Sequence, residues 1–193
     1  MRSVDLPKEL QELRAVLERA AGEFLLQVER AARLLGETFA AGGKVLVCGN
    51  GGSAAEAQHF SDEMLGRYKQ NRPSYPVVAL TADSAALTCI GNDFGFEEVF
   101  ARQVEGLGKP GDVLMGLSTS GNSKNVLRAV EVATARRMKV IALTATRGKL
   151  RELADVSIES PSETTARIQE LHLHAIHLLS EYFEPADVPK NDS

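Results

Sequence analysis

The sequence predicts an α/β domain: a doubly wound, five-stranded parallel sheet flanked by helices and preceded by N-terminal helices. Two observations predict it. Short apolar runs alternate with segments of helical periodicity along most of the chain, and apolar strands separated by helices belong to a parallel sheet buried on both faces. Two strand-to-helix junctions are rich in glycine and hydroxyl residues, at the place where sheets of this kind bind ligands. A length of 193 residues fits a single domain spanning the whole chain.

The elements follow in order. Residues 5–41 read as helix, with Leu6, Leu10, Leu13, Val16 and Leu17, then Phe24, Leu25, Val28, Ala31, Ala32 and Leu35, at helical spacing. Gly42-Gly43 ends this run. The β-branched stretch 44–50 reads as the first strand. Helical spacing resumes after Ser53 and runs to about Tyr68, where Pro73 and Pro76 forbid continuation. Residues 76–80 are predicted strand, 84–91 a short helix capped by Ser84, and 91–95 a loop. Then come helix 96–107, strand 112–118, helix 122–136, strand 139–145, short helix 149–154, strand 156–160 and a closing helix 164–183. The tail 185–193 is expected to fray.

Composition narrows the function classes. The net charge of −4, with no run of Lys or Arg, argues against a nucleic-acid backbone partner. No stretch approaches the roughly 20 apolar residues of a membrane helix, and the charged start lacks the apolar core of a signal peptide. The two cysteines, Cys48 and Cys89, lie in apolar segments without metal-type spacing. They read as buried thiols, with no disulfide framework. A reducing cytoplasm is the expected location.

Two loops carry chemistry. Gly49-Asn50-Gly51-Gly52-Ser53 joins the first strand to a helix. Glycines admit a ligand to the backbone, and free N–H groups at a helix start favour an anion. A plain turn with Ser53 as N-cap has the same residues. Ser118-Thr119-Ser120-Gly121-Asn122-Ser123 is the second. A cap by Asn122 or Ser123 needs one such side chain, so four hydroxyls favour a phosphate cradle.

Acid–base and metal candidates lie on helices. His59 and Glu63, four residues apart, share a face, and Arg67 continues it. Imidazole with carboxylate suits zinc, and an exposed ion pair has the same spacing. The last helix holds Gln169, His172, His174 and His177. Gln169 and His177 lie about 12 Å apart along an ideal helix axis. One metal reaches both only if the side chains lean together; otherwise the two serve different copies of a site shared between subunits. Asn92-Asp93 reads equally as an Asx turn or a substrate contact.

Taken together, GNGGSAAEAQH (49–59), the ENRP-like Gln70-Asn71-Arg72-Pro73, GNDFGF (91–96), LSTSGNSKNV (117–126) and ARIQELHLHAIH (166–177) resemble the phosphoheptose isomerases, a branch of the sugar-isomerase (SIS) fold. The likeness covers nearly the whole chain. It implies conversion of D-sedoheptulose 7-phosphate to D-glycero-D-manno-heptose 7-phosphate through an enediol, the first step of ADP-heptose synthesis for lipopolysaccharide. It also implies a homotetramer with active sites at subunit interfaces, residues 1–41 packing between subunits, and one zinc ion per subunit.

By position, Asn50, Gly51, Gly52 and Ser53 match a sugar-contacting loop. Ser118, Thr119, Ser120 and Ser123 match a phosphate loop, and Asn92 and Asp93 a substrate-contacting pair. Glu63 and His177 match the acid–base groups; His59, Glu63, Gln169 and His177 match zinc ligands, and Glu63 and Gln169 also match substrate contacts. His172 matches a common residue without an agreed role, and His174 matches none. Ala166 stands where some members carry Asp. Two same-fold alternatives are a non-catalytic replication-initiator-binding protein, which lacks the Glu and the last His, and a sugar-phosphate-sensing module, which usually adjoins a DNA-binding domain.

Overall fold

The structure, a computed structural model, describes residues 3–185. Five parallel strands, β1 (Val45–Cys48), β2 (Val77–Ala79), β3 (Val113–Ser118), β4 (Lys139–Ala145) and β5 (Val156–Ser160), form one sheet in the order β2-β1-β3-β4-β5. The predicted doubly wound sheet is therefore present.

Successive strand residues feed opposite cores, which is why the strands read as nearly continuous apolar runs. Val45, Val47, Val113, Met115, Ile141 and Leu143 face one layer, built by α1 (Leu6–Ala20), α2 (Glu23–Ala40), α3 (Gly52–Leu65) and α8 (Thr165–Glu181). Leu46, Cys48, Leu114, Val140 and Ala142 face the other, where α5 (Ala101–Leu107), α6 (Lys124–Ala135) and α7 (Leu150–Leu153) pack. α4 (Ser84–Asp93) buries no residue fully.

Several expectations are corrected. The N-terminal helices expected within 5–41 are α1 and α2, and the boundary between them, which the spacing leaves unplaced, falls at Gly22, whose backbone (φ −108°, ψ −103°) is not helical. Helical periodicity persists across the break because both helices present an apolar face to the same core. The α4 helix starts from Asp83, not Ser84, because the Asp83 carboxylate accepts from the Ala86 N–H at 2.9 Å. It continues through Asn92-Asp93, which the sequence places in a loop. The helix expected over 96–107 is a 3₁₀ turn, Phe96–Glu98, followed by α5. Cys48 is buried, and burial pushes its thiol pKa up to about 12. Cys89, expected buried, is exposed on α4. The tail expectation falls, from residue 186 on, outside the described residues.

Candidate active site

The strand order reverses direction between β1 and β3, and the loops after these two strands diverge there. Such a switch point opens a crevice at the carboxyl ends of the strands. Both chemically rich loops border it. Asn50 and Asn125 bridge it with reciprocal amide hydrogen bonds, each 2.8 Å. Asn125 is buried at the start of α6 and was not singled out from sequence, since a lone Asn in a helix pattern carries no signal.

In the first loop Gly51 takes φ +56° and is the N-cap of α3, with no side-chain cap, so Ser53 is not the cap. Ser53 is buried inside the helix instead. A Cβ on Gly52 would collide with the Gln169 Nε2. The Gln169 amide thus rests on the loop backbone, in a gap that only glycine leaves open. In the second loop, the Ser118 hydroxyl lies 2.9 Å from that of Ser123 and 3.4 Å from that of Ser120. Ser123 is the N-cap of α6, yet its side chain makes no cap bond. Its hydroxyl joins the cluster. Gly121 (φ +65°) carries the loop against Arg147 and Gly148, leaving no room for a side chain. Thr119 is half-buried and Ser120 exposed, where a ligand can reach them.

α3 and α8 pack side by side, in parallel register. Gly52 meets Gln169 at one level, Glu56 faces His172 (Oε2 to Nδ1, 3.8 Å) at the next, and His59 meets His177 further on. The last level is the chemical one. His59 Nε2 lies 2.9 Å from His177 Nε2 and 3.3 Å from Glu63 Oε1. Ligand atoms of all three residues fall within 4.8 Å of one another. Tetrahedral zinc, with bonds of about 2.0–2.1 Å, holds its ligand atoms about 3.3 Å apart, so two imidazoles and a carboxylate fit that ion here in chemistry and in spacing. Glu63 is mostly buried, with its side chain 15 % exposed. Burial first, and then the neighbouring charge of His59, lowers the His177 pKa, with Glu63 opposing. The Tyr68 ring stacks on His177, with centroids 5.7 Å apart.

The structure therefore unites three of the four residues matched to zinc. Gln169 stays two turns away on α8, against Gly52. Asn92 and Asp93 bond to each other, Nδ2 to Oδ1 at 2.7 Å, on the exposed end of α4. His172 is fully buried, and neither ring nitrogen has a hydrogen-bond partner among the described residues.

A model of the SIS domain matches residues 10–145, so fold and crevice together define an SIS-domain protein. The chain is 56% identical to the phosphoheptose isomerase of Thiobacillus denitrificans over 164 residues, which cover 83% of each chain. It superposes on the phosphoheptose isomerase structure from Neisseria gonorrhoeae with a TM-score of 0.86 at 44% identity, covering 91% of this chain and 95% of that one. The corresponding structure from Francisella tularensis gives 0.90 at 38% identity, over 94% and 98%. The chain belongs to the phosphoheptose isomerase family, and it is an isomerase.

Proposed function

We propose that this isomerase interconverts D-sedoheptulose 7-phosphate and D-glycero-D-manno-heptose 7-phosphate, the step that opens ADP-heptose synthesis for lipopolysaccharide. One observation carries the mechanism. Glu63 and His177, far apart in sequence, meet through His59 on the α3–α8 pair that borders the switch-point crevice. Its relatives' printed activity supports the substrate.

In the proposed reaction Ser118, Thr119, Ser120 and Ser123, with the α6 backbone amides, hold the 7-phosphate and orient the sugar. Asn50, Gly51, Gly52, Ser53 and Gln169 contact the sugar hydroxyls, and Asn92 and Asp93 do so as well. Glu63 removes a proton from C1 of the ketose, giving the enediol, and returns it to C2. His177, kept neutral by its lowered pKa, takes the O1 proton and supplies one to O2. The net change moves one hydrogen from C1 to C2 and the carbonyl from C2 to C1.

His59, Glu63 and His177 would hold a zinc ion, with Gln169 as a fourth donor only if its side chain or another subunit brings it there. Zinc in that position would polarise the sugar oxygens. A carboxylate has two oxygens and can bind metal and still accept a proton. The single Nε2 of His177 cannot do both at once. Weakened zinc binding in His177→Ala assigns His177 to the metal; native zinc binding with lost turnover in that variant assigns it to the proton.

A homotetramer completes the reading. Leu6, Leu10, Leu17, Leu25 and Leu26 are exposed on α1 and α2, and Phe94 and Phe96 beyond α4. These faces support packing of residues 1–41 between subunits and delivery of Asn92 and Asp93 to a neighbouring site. No helix among the described residues is long and apolar enough to cross a membrane. The reading places the chain in the cytoplasm, where free thiols such as Cys48 and Cys89 stay reduced.

Proton transfer through an enediol is tested by incubating sedoheptulose 7-phosphate with the protein in D₂O and following the sugar by NMR. Aldose carrying deuterium at C2, taken up as the proton held by Glu63 exchanges with solvent during the lifetime of the enediol, supports the reading. No conversion of the seven-carbon ketose, with turnover of another sugar phosphate instead, refutes the substrate.

A further inference from the structure

The active-site trio sits near the carboxyl end of α3, and that end is finished in an unusual way. A helix leaves its last four carbonyls without intrahelical donors. Here the Asp62 carbonyl accepts from the Gly66 N–H at 2.8 Å. The other three are met by the segment that follows. Arg72 donates to the Glu63 carbonyl at 2.5 Å and to the Met64 carbonyl at 2.9 Å. The Tyr75 N–H also reaches the Met64 carbonyl, at 3.0 Å, and the Ser74 hydroxyl reaches that of Leu65, at 2.8 Å.

The same guanidinium is paired across to the far helix. Arg72 Nε donates to Glu184 Oε1 at 3.1 Å, with side chains 1 % and 5 % exposed. Glu184 lies just beyond α8, and its other oxygen accepts from the Gln70 N–H at 2.6 Å. Segment 67–75 is thus a strap over the ends of α3 and α8. Aromatic contacts of Tyr75 with Phe39 and Phe183 anchor one side of it. At the other side Tyr68 lies on the His177 ring.

From this geometry we infer that Arg72 and Glu184 are positioning residues, whose buried ion pair fixes the ends of α3 and α8 relative to each other and thereby sets the spacing of His59, Glu63 and His177. The inference rests on the reading of that trio as the working groups. Its physical basis is direct. Arg72 bonds the backbone of Glu63 itself, and Glu184 closes the link to the helix that carries His177. A guanidinium bonding three carbonyls, those of Glu63, Met64 and Pro73, and a carboxylate in fixed directions cannot be replaced by an ammonium, so Lys in its place keeps the charge and loses the fork.

Removing one member of a buried pair strands the other, whereas replacing both with apolar residues is often neutral for stability. The test is therefore the double variant Arg72→Met/Glu184→Met in the full chain, beside Arg72→Lys, Glu184→Gln and His177→Ala. Thermal unfolding reports the fold, chelator competition gives the zinc dissociation constant, and kcat and KM are measured separately. The double variant is expected to fold, to bind zinc about 10–100-fold more weakly and to lose kcat by a similar factor with KM near the native value. Arg72→Lys falls between. A folded double variant with zinc affinity and kcat within twofold of native overturns the inference. If the double variant does not fold, Glu184→Gln is judged by the same two readouts. If the native chain binds zinc no better than His177→Ala, the metal reading fails, and kcat alone decides the role of the strap.

Discussion

Replacing Gly52 with alanine separates the placement of Gln169 from the stability of the fold. The new Cβ meets Gln169 Cδ at 3.0 Å and Oε1 at 3.1 Å, and Nε2 closer still, where ordinary contact starts at 3.4 Å. The amide must retreat by roughly 1 Å. It is the far end of a flexible side chain, so torsions absorb the move at a cost of about 0.5–1.5 kcal/mol. Alanine in place of glycine within α3 returns up to about 1 kcal/mol of helix propensity. Net stability should fall by no more than about 1.5 kcal/mol. Activity should not be spared, because a misplacement of about 1 Å near a substrate costs on the order of 10²-fold. Gly36→Ala, with nothing within 4 Å of its Cβ, is the control and should gain stability by about 0.5–1 kcal/mol with unchanged turnover. Urea unfolding and steady-state kinetics on sedoheptulose 7-phosphate read both effects. Native kcat/KM in a folded Gly52→Ala protein would show that Gln169 has no part in catalysis.

Other perturbations have equally definite outcomes. Asn125→Ala leaves the Asn50 amide without its partner across the switch point and should cost about 1–3 kcal/mol in urea unfolding, together with weaker substrate binding. Gly121→Ala forces a side chain onto φ +65° and into the Arg147 carbonyl at 2.5 Å; it should destabilise by about 2 kcal/mol or more and raise KM through the disturbed hydroxyl cluster. The lowered pKa of His177 means that the unfolded chain binds more protons than the folded one between the folded value and the ordinary 6.5. Stability of the metal-free protein should therefore fall as pH drops through that window and be insensitive to this group above it. His177→Gln should flatten that part of the stability–pH curve, as followed by chemical unfolding at a series of pH values.

Much of the fold was legible because strand and helix patterns differ in period. The residues of β4 and β5, with flanking turns, gave their bounds as the structure has them. The break at Gly22 was obscured by continuous apolar periodicity on both sides of it. The identity of the α4 cap was obscured by two adjacent capping residues, Asp83 and Ser84. Within the site, spacing alone showed that His59 and Glu63 share a face, but not which residue of α8 would meet them. That depends on the parallel register of α3 and α8, a tertiary property. The same register sets His172 opposite Glu56 and keeps Gln169 beside Gly52. The roles of Asn125, Tyr68 and Arg72 are likewise products of packing between segments distant in sequence.

In the proposed reaction one carboxylate and one imidazole on adjacent helices carry the proton between carbons and between oxygens. Turnover of sedoheptulose 7-phosphate by Glu63→Gln, with substrate binding measured on the same sample by calorimetry, addresses it most directly. Binding should stay close to native and kcat should fall by about 10²–10⁴-fold, the usual contribution of a positioned acid–base group. Turnover near the native rate by a folded Glu63→Gln protein would contradict that role for the carboxylate.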